Sequence, residues 1–333
     1  MKRVTIKDVA REAGVSITTV SHALSGGGVV KQETRDRIRE LAKQMNYMPN
    51  WSGQNLKAVK TGVIGLYVEY IRGFYGQLAD SMYEKCREAG YELDIVIAAD
   101  GETVLSNLLS QRVDGAIILH DGFNRENAEI LMNAELPTVF LDREIAGPQV
   151  SSILFDSYQT GQIVAKYLYE LGHREILFVE GRDTYDGIER GRGFWDYMKE
   201  QGIRENADYR IYGGFDREEA HNATEQFLMK HLPLPTAVFA ANDDSAIGCM
   251  LALMEAGLNV PDSVSIVGCD NIELSQWYVS PLTTVDIGIP AQGVAAVTEV
   301  VSLIEGDHRG TIVKTPGRLI ERASCIRNKN QAI

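Results

Sequence analysis

Groups able to grip a small polar molecule recur in this chain just after short apolar runs. Phe74 and Tyr75 follow the run 62–68, Asp156 follows 151–155, and Arg190 lies beyond 175–180. Phe215 comes after 209–212, Asn242 and Asp244 after 236–241, and Asp270 after 264–268. Open α/β sheets bind ligands beyond the carboxyl ends of their strands. Carboxylates accept hydrogen bonds from hydroxyls, Arg and Asn supply donors, and ring faces cover C–H patches. The set therefore points to binding of a neutral polyhydroxy molecule, and three carboxylates (Asp156, Asp244, Asp270) disfavour a phosphorylated one. Asp156 and Asp243 also suit helix capping, and for Asp243 capping is the preferred reading.

Bond-making chemistry has no comparable support. The sequence holds no Gly-x-Ser-x-Gly, no Gly-Lys-[Ser/Thr] and no Gly-x-Gly-x-x-Gly after a strand. Its four cysteines are scattered without a Cys-x-x-Cys pair, and no His-x-x-x-His occurs. Neither catalytic residues, nor a metal, nor a cofactor are expected. An enzyme is thus disfavoured.

A second group of hydrogen-bonding side chains sits near the N-terminus: Thr18, Thr19, Ser21 and His22 on one face of a short apolar-backed segment. Ile6, Val9, Ala10 and Ala13 repeat at helical spacing, and Gly14 follows where a left-handed residue is wanted. Ser16 then caps a second helix over 17–24, with Val20, Ala23 and Leu24 inward. A third helix spans about 31–45, with Ile38, Leu41, Ala42 and Met45 inward. Two short helices, a tight glycine turn and a third helix make a helix-turn-helix headpiece, whose second helix enters the major groove. Ile17 suits a thymine methyl, and the polar face suits base edges.

Charge agrees. The first sixty residues hold eleven basic and five acidic side chains, a net +6, on a chain of net −13. The remainder therefore carries −19, so a polyanion partner is expected for the N-terminal segment alone.

Thr5-Ile6-Lys7-Asp8-Val9-Ala10, Ala13-Gly14-Val15-Ser16, Thr19-Val20-Ser21 and Asn46-Tyr47-Met48-Pro49-Asn50 closely resemble the headpiece signature of the lactose-repressor (LacI/GalR) family. Thr18–His22 is similar to its purine-repressor branch, a likeness that concerns DNA and not the effector. In the body, Leu171-Gly172-His173-Arg174, Arg190-x-x-Gly193-Phe194, Ala241-Asn242-Asp243, Gly268-Cys269-Asp270-Asn271 and Pro281-Leu282-Thr283-Thr284 resemble family elements, with Cys269 replacing a tyrosine. The resemblance runs from residue 3 to about 326. It implies an α-helical headpiece (1–48), a hinge helix (49–60) whose leucine, Leu56, wedges a base step in the minor groove, and a body (61–333). It also implies that Arg190 binds ligand. The DNA-binding set is then Thr5, Ser16, Ile17, Thr18, Thr19, Ser21, His22, Thr34, Tyr47, Asn50, Gln54 and Leu56. After Ser324-Cys325-Ile326 only seven residues follow, so a homodimer on pseudo-palindromic operator DNA is the expectation, without a tetramerisation tail.

The elements that must position these groups read as two series. Strands are expected at 62–68, 92–98, 113–119, 137–141 and 151–155, then at 175–180, 209–212, 236–241, 264–268 and 283–287, with helical patterns between them, for example at 77–89, 159–171, 243–256 and 291–304. Alternation of this kind implies two doubly wound parallel-sheet subdomains with a cleft between them. The resemblance adds a periplasmic-binding-protein-like type I fold, with three crossings between an N-subdomain (about 61–160 plus 290–322) and a C-subdomain (about 161–289 plus 323–333). A composition of 44% apolar and 24% charged residues is that of an ordinary globular protein. Residues 1–8 contain no apolar run, no segment approaches the roughly 18 apolar residues of a membrane span, and a cytoplasmic location is expected. A transport binding protein on the same body is disfavoured for that reason. The overall expectation is an effector-responsive repressor, foremost a carbohydrate-gene repressor sensing a neutral sugar, with a purine or other metabolite corepressor as the alternative.

Gly53 stands inside the expected hinge helix, where it costs about 1 kcal/mol relative to Ala. Gly53→Ala is therefore expected to tighten operator binding by up to about 1 kcal/mol per hinge. Operator titration of the two proteins checks this, and unchanged or weaker binding would remove the helical hinge.

Overall fold

The computed structural model describes residues 5–25, 30–45, 60–71, 73–110, 112–306 and 309–329. The hinge positions Tyr47, Asn50, Gln54 and Leu56, with Gly53, lie outside them. The chain forms two compact units, Met1–Thr61 and Gly62–Ile333.

The first unit holds α1 (Ile6–Ala13), α2 (Ile17–Ser25) and α3 (Gln32–Gln44). Asp8 in the first turn of α1 accepts from the Thr5 backbone N–H at 3.0 Å, and Gly14 closes the helix at φ 65°, the left-handed conformation that its missing Cβ permits. Ser16 Oγ accepts from Thr19 N–H at the start of α2. Val9, Ala10, Val20, Ala23, Ile38 and Ala42 form the buried centre, with Leu24 and Met45 partly buried around it. Arg37 donates to the Ala13 carbonyl at 3.1 Å, tying α3 to the end of α1.

The second unit contains two parallel sheets. β1 (Val63–Val68), β2 (Glu92–Ile97), β3 (Gly115–Leu119), β4 (Thr138–Phe140), β5 (Val150–Phe155) and β11 (Ile312–Thr315) form one, in the order β11-β5-β4-β3-β1-β2. β6 (Ile176–Glu180), β7 (Arg210–Tyr212), β8 (Ala237–Ala240) and β9 (Ser265–Val267) form the other, in the order β7-β6-β8-β9. Both are covered on two faces, so successive residues of a strand enter different cores. Ile64, Leu66 and Val68 join one cluster and Tyr67 another; Ile176 and Phe178 face one way, Leu177 and Val179 the other. Such strands read as continuous apolar runs, which is how they appear in the sequence.

The intervening helices are α4 (Phe74–Glu88), α5 (Gly101–Leu109), α6 (Arg125–Asn133), α7 (Ser157–Glu170), α8 (Tyr185–Glu200), α9 (Arg217–Met229), α10 (Asp243–Glu255), α11 (Glu273–Trp277) and α12 (Ile289–Glu305). None among the described residues is long and apolar enough to cross a membrane.

Three elements differ from the sequence reading. The segment expected as a tenth parallel strand is β10 (Thr284–Asp286), which pairs antiparallel with β12 (Arg318–Ile320) in a separate two-stranded sheet. β11, absent from the sequence reading, adds a sixth strand to the first sheet; it is a short edge strand, mostly exposed, so apolar patterning does not mark it. α4 begins at Phe74 rather than 77, which puts Phe74 and Tyr75 in a helical first turn instead of a loop.

α7 and α8 cross through glycines. A Cβ on Gly161 would stand 2.1 Å from the Arg190 carbonyl oxygen, and one on Gly193 2.0 Å from that of Tyr158. These are backbone atoms and cannot rotate away. Overfilling a packed core costs about 1–3 kcal/mol, occasionally more. Gly193→Ala is expected to destabilise the chain by about 3 kcal/mol, the upper part of that range, by denaturant unfolding. A loss well below about 1 kcal/mol would mean that the helices do not need this approach.

Candidate ligand cleft and nucleic-acid face

On the first unit, Ile17 (45% exposed), Thr18 and His22 present the open face of α2. Ser21 and Thr34 are half-buried. Thr5 and Ser16 are exposed, but their hydroxyls are engaged: Thr5 donates to Asp8 at 2.6 Å, and Ser16 and Thr19 bond each other at 2.8 Å. Ile17, Thr18 and His22 are thus the described side chains of α2 that are exposed.

In the second unit a cleft of about 750 Å³ opens where the strands of both sheets end. Phe74, Tyr75, Arg190, Phe215, Asn242, Asp244 and Asp270 all line it. Asp156 does not. Its carboxylate caps α7, accepting from Gln159 N–H at 2.9 Å, and this local bond turns the side chain to the helix end. Asp243 is also placed differently from the capping expectation. Asn242 is the cap of α10, accepting from Ser245 N–H at 2.9 Å, while Asp243 is buried and accepts from Thr284 Oγ1 (2.6 Å) and Ile272 N–H (2.9 Å). It fastens the loop that carries Asp270.

Aromatic rings form two walls. Phe74 meets Tyr75 edge-on at 5.4 Å and Phe155 at 6.1 Å, and Tyr75 packs on Tyr70 at 4.4 Å. On the opposite lobe Phe215 adopts φ 59°, held by Asn242 Nδ2 donating to its carbonyl at 3.2 Å, and its ring covers Gly181, where any Cβ would overlap it.

Arg190, 3% exposed, lies between these walls. It donates to the Ala241 carbonyl, its Nη1 is 3.9 Å from Asp270 Oδ1, and its guanidinium stands 5.8 Å from the Phe215 ring centre. Its buried Nε has no hydrogen-bond partner among the described residues. Asp270 sits at φ 115°, a conformation rarely adopted by residues with a Cβ. Burial pushes its carboxyl from the ordinary 3.8 up to about 7, against the pull of Arg190. Asp186, half-buried in the cleft wall, is also raised by desolvation although Ser157 donates to it at 2.5 Å. Asp142 is raised by burial despite a two-pronged bond from Arg143.

Arg182, Thr184, Asp186, Tyr70, Asp121 and Asp142 line the cleft too and were not singled out from the sequence. The rule used for the others applies to them equally: Asp121 follows β3, Asp142 follows β4, and Arg182 follows β6. Among the described residues one further cluster, His221, Glu225 and Glu255, gathers three possible ligand atoms within 4.8 Å. It is an ion pair across the exposed faces of α9 and α10, with His221 Nε2 2.9 Å from Glu255, and it does not line the cleft.

Two family descriptions match the chain: bacterial regulatory proteins of the lacI family over residues 5–50, and a periplasmic binding protein-like domain over 165–325. The HTH-type transcriptional repressor PurR of Pasteurella multocida is 32% identical over 96% of this chain and 98% of its own length. That of Vibrio cholerae is 34% identical over 84% and 85%. Among solved structures, the Lac repressor dimer bound to operator and the anti-inducer ONPF superposes with a TM-score of 0.78 at 28% identity, covering 98% of this chain and all of that one. A CelR–cellobiose complex superposes at 0.73 and 26%, covering 97% and 100%.

A carboxyl whose proton is held more tightly when folded than unfolded loses stabilisation as pH rises between the two values and stays at that lower level above them. For Asp270 that window runs from about 4 to about 7. The melting temperature of ligand-free Asp270→Asn, relative to the parent, is therefore expected to rise between pH 5 and pH 8. A flat difference would show that Asp270 is not the titrating group.

Proposed function

The chain belongs to the lacI family of bacterial regulatory proteins, and we propose that it is a homodimeric repressor whose cleft binds a purine base. It is a DNA-binding transcription regulator and not an enzyme. The observation that carries the effector reading is the pairing of stackable rings with in-plane hydrogen-bonding groups: Phe74, Tyr75 and Phe215 beside Arg190 and Asp270. A purine offers two flat faces to rings and a rim of acceptors and N–H donors. A carboxyl held near neutrality can accept from such an N–H or donate to a ring nitrogen. Relatives that carry the name HTH-type transcriptional repressor PurR support the same reading.

The sugar expectation becomes the second reading. The carboxylates of Asp244 and Asp270 suit hydroxyls, and a structural neighbour is a cellobiose complex. It takes second place because the relatives named PurR are more similar in sequence, 32% and 34% identical, than the cellobiose-bound neighbour at 26%.

For the DNA end, Ile17, Thr18 and His22 are the base-reading candidates, with the hinge supplying minor-groove contact. The dimer face is proposed at the open edge of the first sheet, where Ile95 (43% exposed) and Ile97 (60%) lie on β2 and Tyr83 (53%) on α4. A cytoplasmic location follows from DNA as partner.

Calorimetric titration with hypoxanthine, guanine, ribose and cellobiose tests the effector. Binding of a purine with a change in operator affinity is expected; binding of sugars alone would sink the purine reading. Phe215→Ala is expected to weaken purine binding by about 1–3 kcal/mol, the worth of one stacked base, and to leave effector-free operator binding unchanged.

A further inference from the structure

Arg182 reaches across the cleft from the end of β6. Its Nη1 donates to Glu69 Oε2 at 2.9 Å, just beyond β1, and to Asp121 Oδ2 at 3.1 Å, beyond β3. Its Nε donates to the Gly214 carbonyl at 3.2 Å. Nη2 has no partner among the described residues. The three charged side chains are each between about a quarter and a third exposed, so their interaction is only partly screened.

A free guanidinium grips carboxylate or phosphate through two parallel N–H bonds. Here two of its three nitrogens are taken, and two carboxylates face one cation. The other arginines of the cleft are countered as well: Arg190 stands by Asp270, and Arg217 bonds Asp244. No cation lining the cleft is left uncompensated among the described residues.

We propose that Glu69 and Asp121 are positioning residues that discharge Arg182 and fix its fork. The cleft then accepts an effector through a single uncharged acceptor on Nη2 and rejects an anionic one. The inference rests on the cleft being the effector site, as read above.

The test titrates the full chain with hypoxanthine, uncharged at pH 7.5, and urate, a purine monoanion of similar shape. The parent should prefer hypoxanthine by about tenfold or more, since like charges brought together cost affinity. Glu69→Gln with Asp121→Asn should shrink that preference by about tenfold. In an Arg182→Gln background the same two changes should leave urate near its starting affinity, because no cation is released. An unchanged preference in the double variant overturns the inference, as does an equal gain in the Arg182→Gln background, which would be a general charge effect. If neither purine binds while ribose does, the purine reading falls and the comparison runs with ribose against ribose 5-phosphate. Ligand-free hydrogen exchange over 119–123 and 181–184 is independent of any effector. It should quicken by about fivefold in the double variant, as local opening becomes easier, and parental rates would refute the positioning role.

Discussion

A guanidinium taken almost wholly out of water is the constraint around which the body is organised. Removing such an ion from solvent costs several kcal/mol unless acceptors surround it. Arg190 finds them in the Ala241 carbonyl and in Asp270, with Asp186 and Asp243 close enough to hold it charged. Each belongs to a different segment. Ala241 follows β8, Asp270 follows β9, Asp186 opens α8 and Asp243 opens α10. The ion thus ties together the segments that leave β6, β8 and β9, strands that pairing already places side by side. It reaches them because Gly161 and Gly193 let α8 lie close against α7.

The same burial explains the chemistry of the cleft. Carboxyls at Asp142, Asp186 and Asp270 are pushed above the usual range mainly by desolvation. The arginines beside them do not overturn that: Arg190 is shared between Asp270 and Asp186, and for Asp142 burial outweighs the bond from Arg143. The result is a site rich in acceptors and protonatable oxygens but without spare positive charge. Under the proposal made above, such a site takes a neutral molecule in preference to a phosphorylated one. The body as a whole is acidic while the first sixty residues are basic, so attraction to DNA is confined to the headpiece and hinge.

Much of this architecture is legible in the sequence. The headpiece helices, four of the body's helices and nine of its ten parallel strands follow from local apolar spacing and from caps such as Gly14. α9 is only weakly marked, because only Ala220, Thr224 and Phe227 are buried on a helix otherwise full of polar residues. β11 is missed because an exposed edge strand needs no apolar alternation. β10 and β12 pair antiparallel across about thirty residues of chain, a partnership no local pattern announces.

The sequence by itself determined which groups lie at strand ends, because a run of apolar residues fixes where a buried strand stops and a polar loop begins. It also determined which face of α2 stays exposed, since a three-helix unit this small leaves few ways to bury Val20 and Ala23. Only the tertiary structure decided what each strand-end group does. Asp156 and Asp270 are both aspartates just past a strand, yet one caps its own helix through a bond three residues away and the other faces the cleft. Arg182 looks like any loop arginine until Glu69 and Asp121, distant in sequence, are folded against it. An oxygen or a guanidinium carries the same chemistry in every role; direction and distance choose among them, and those are set by packing far along the chain.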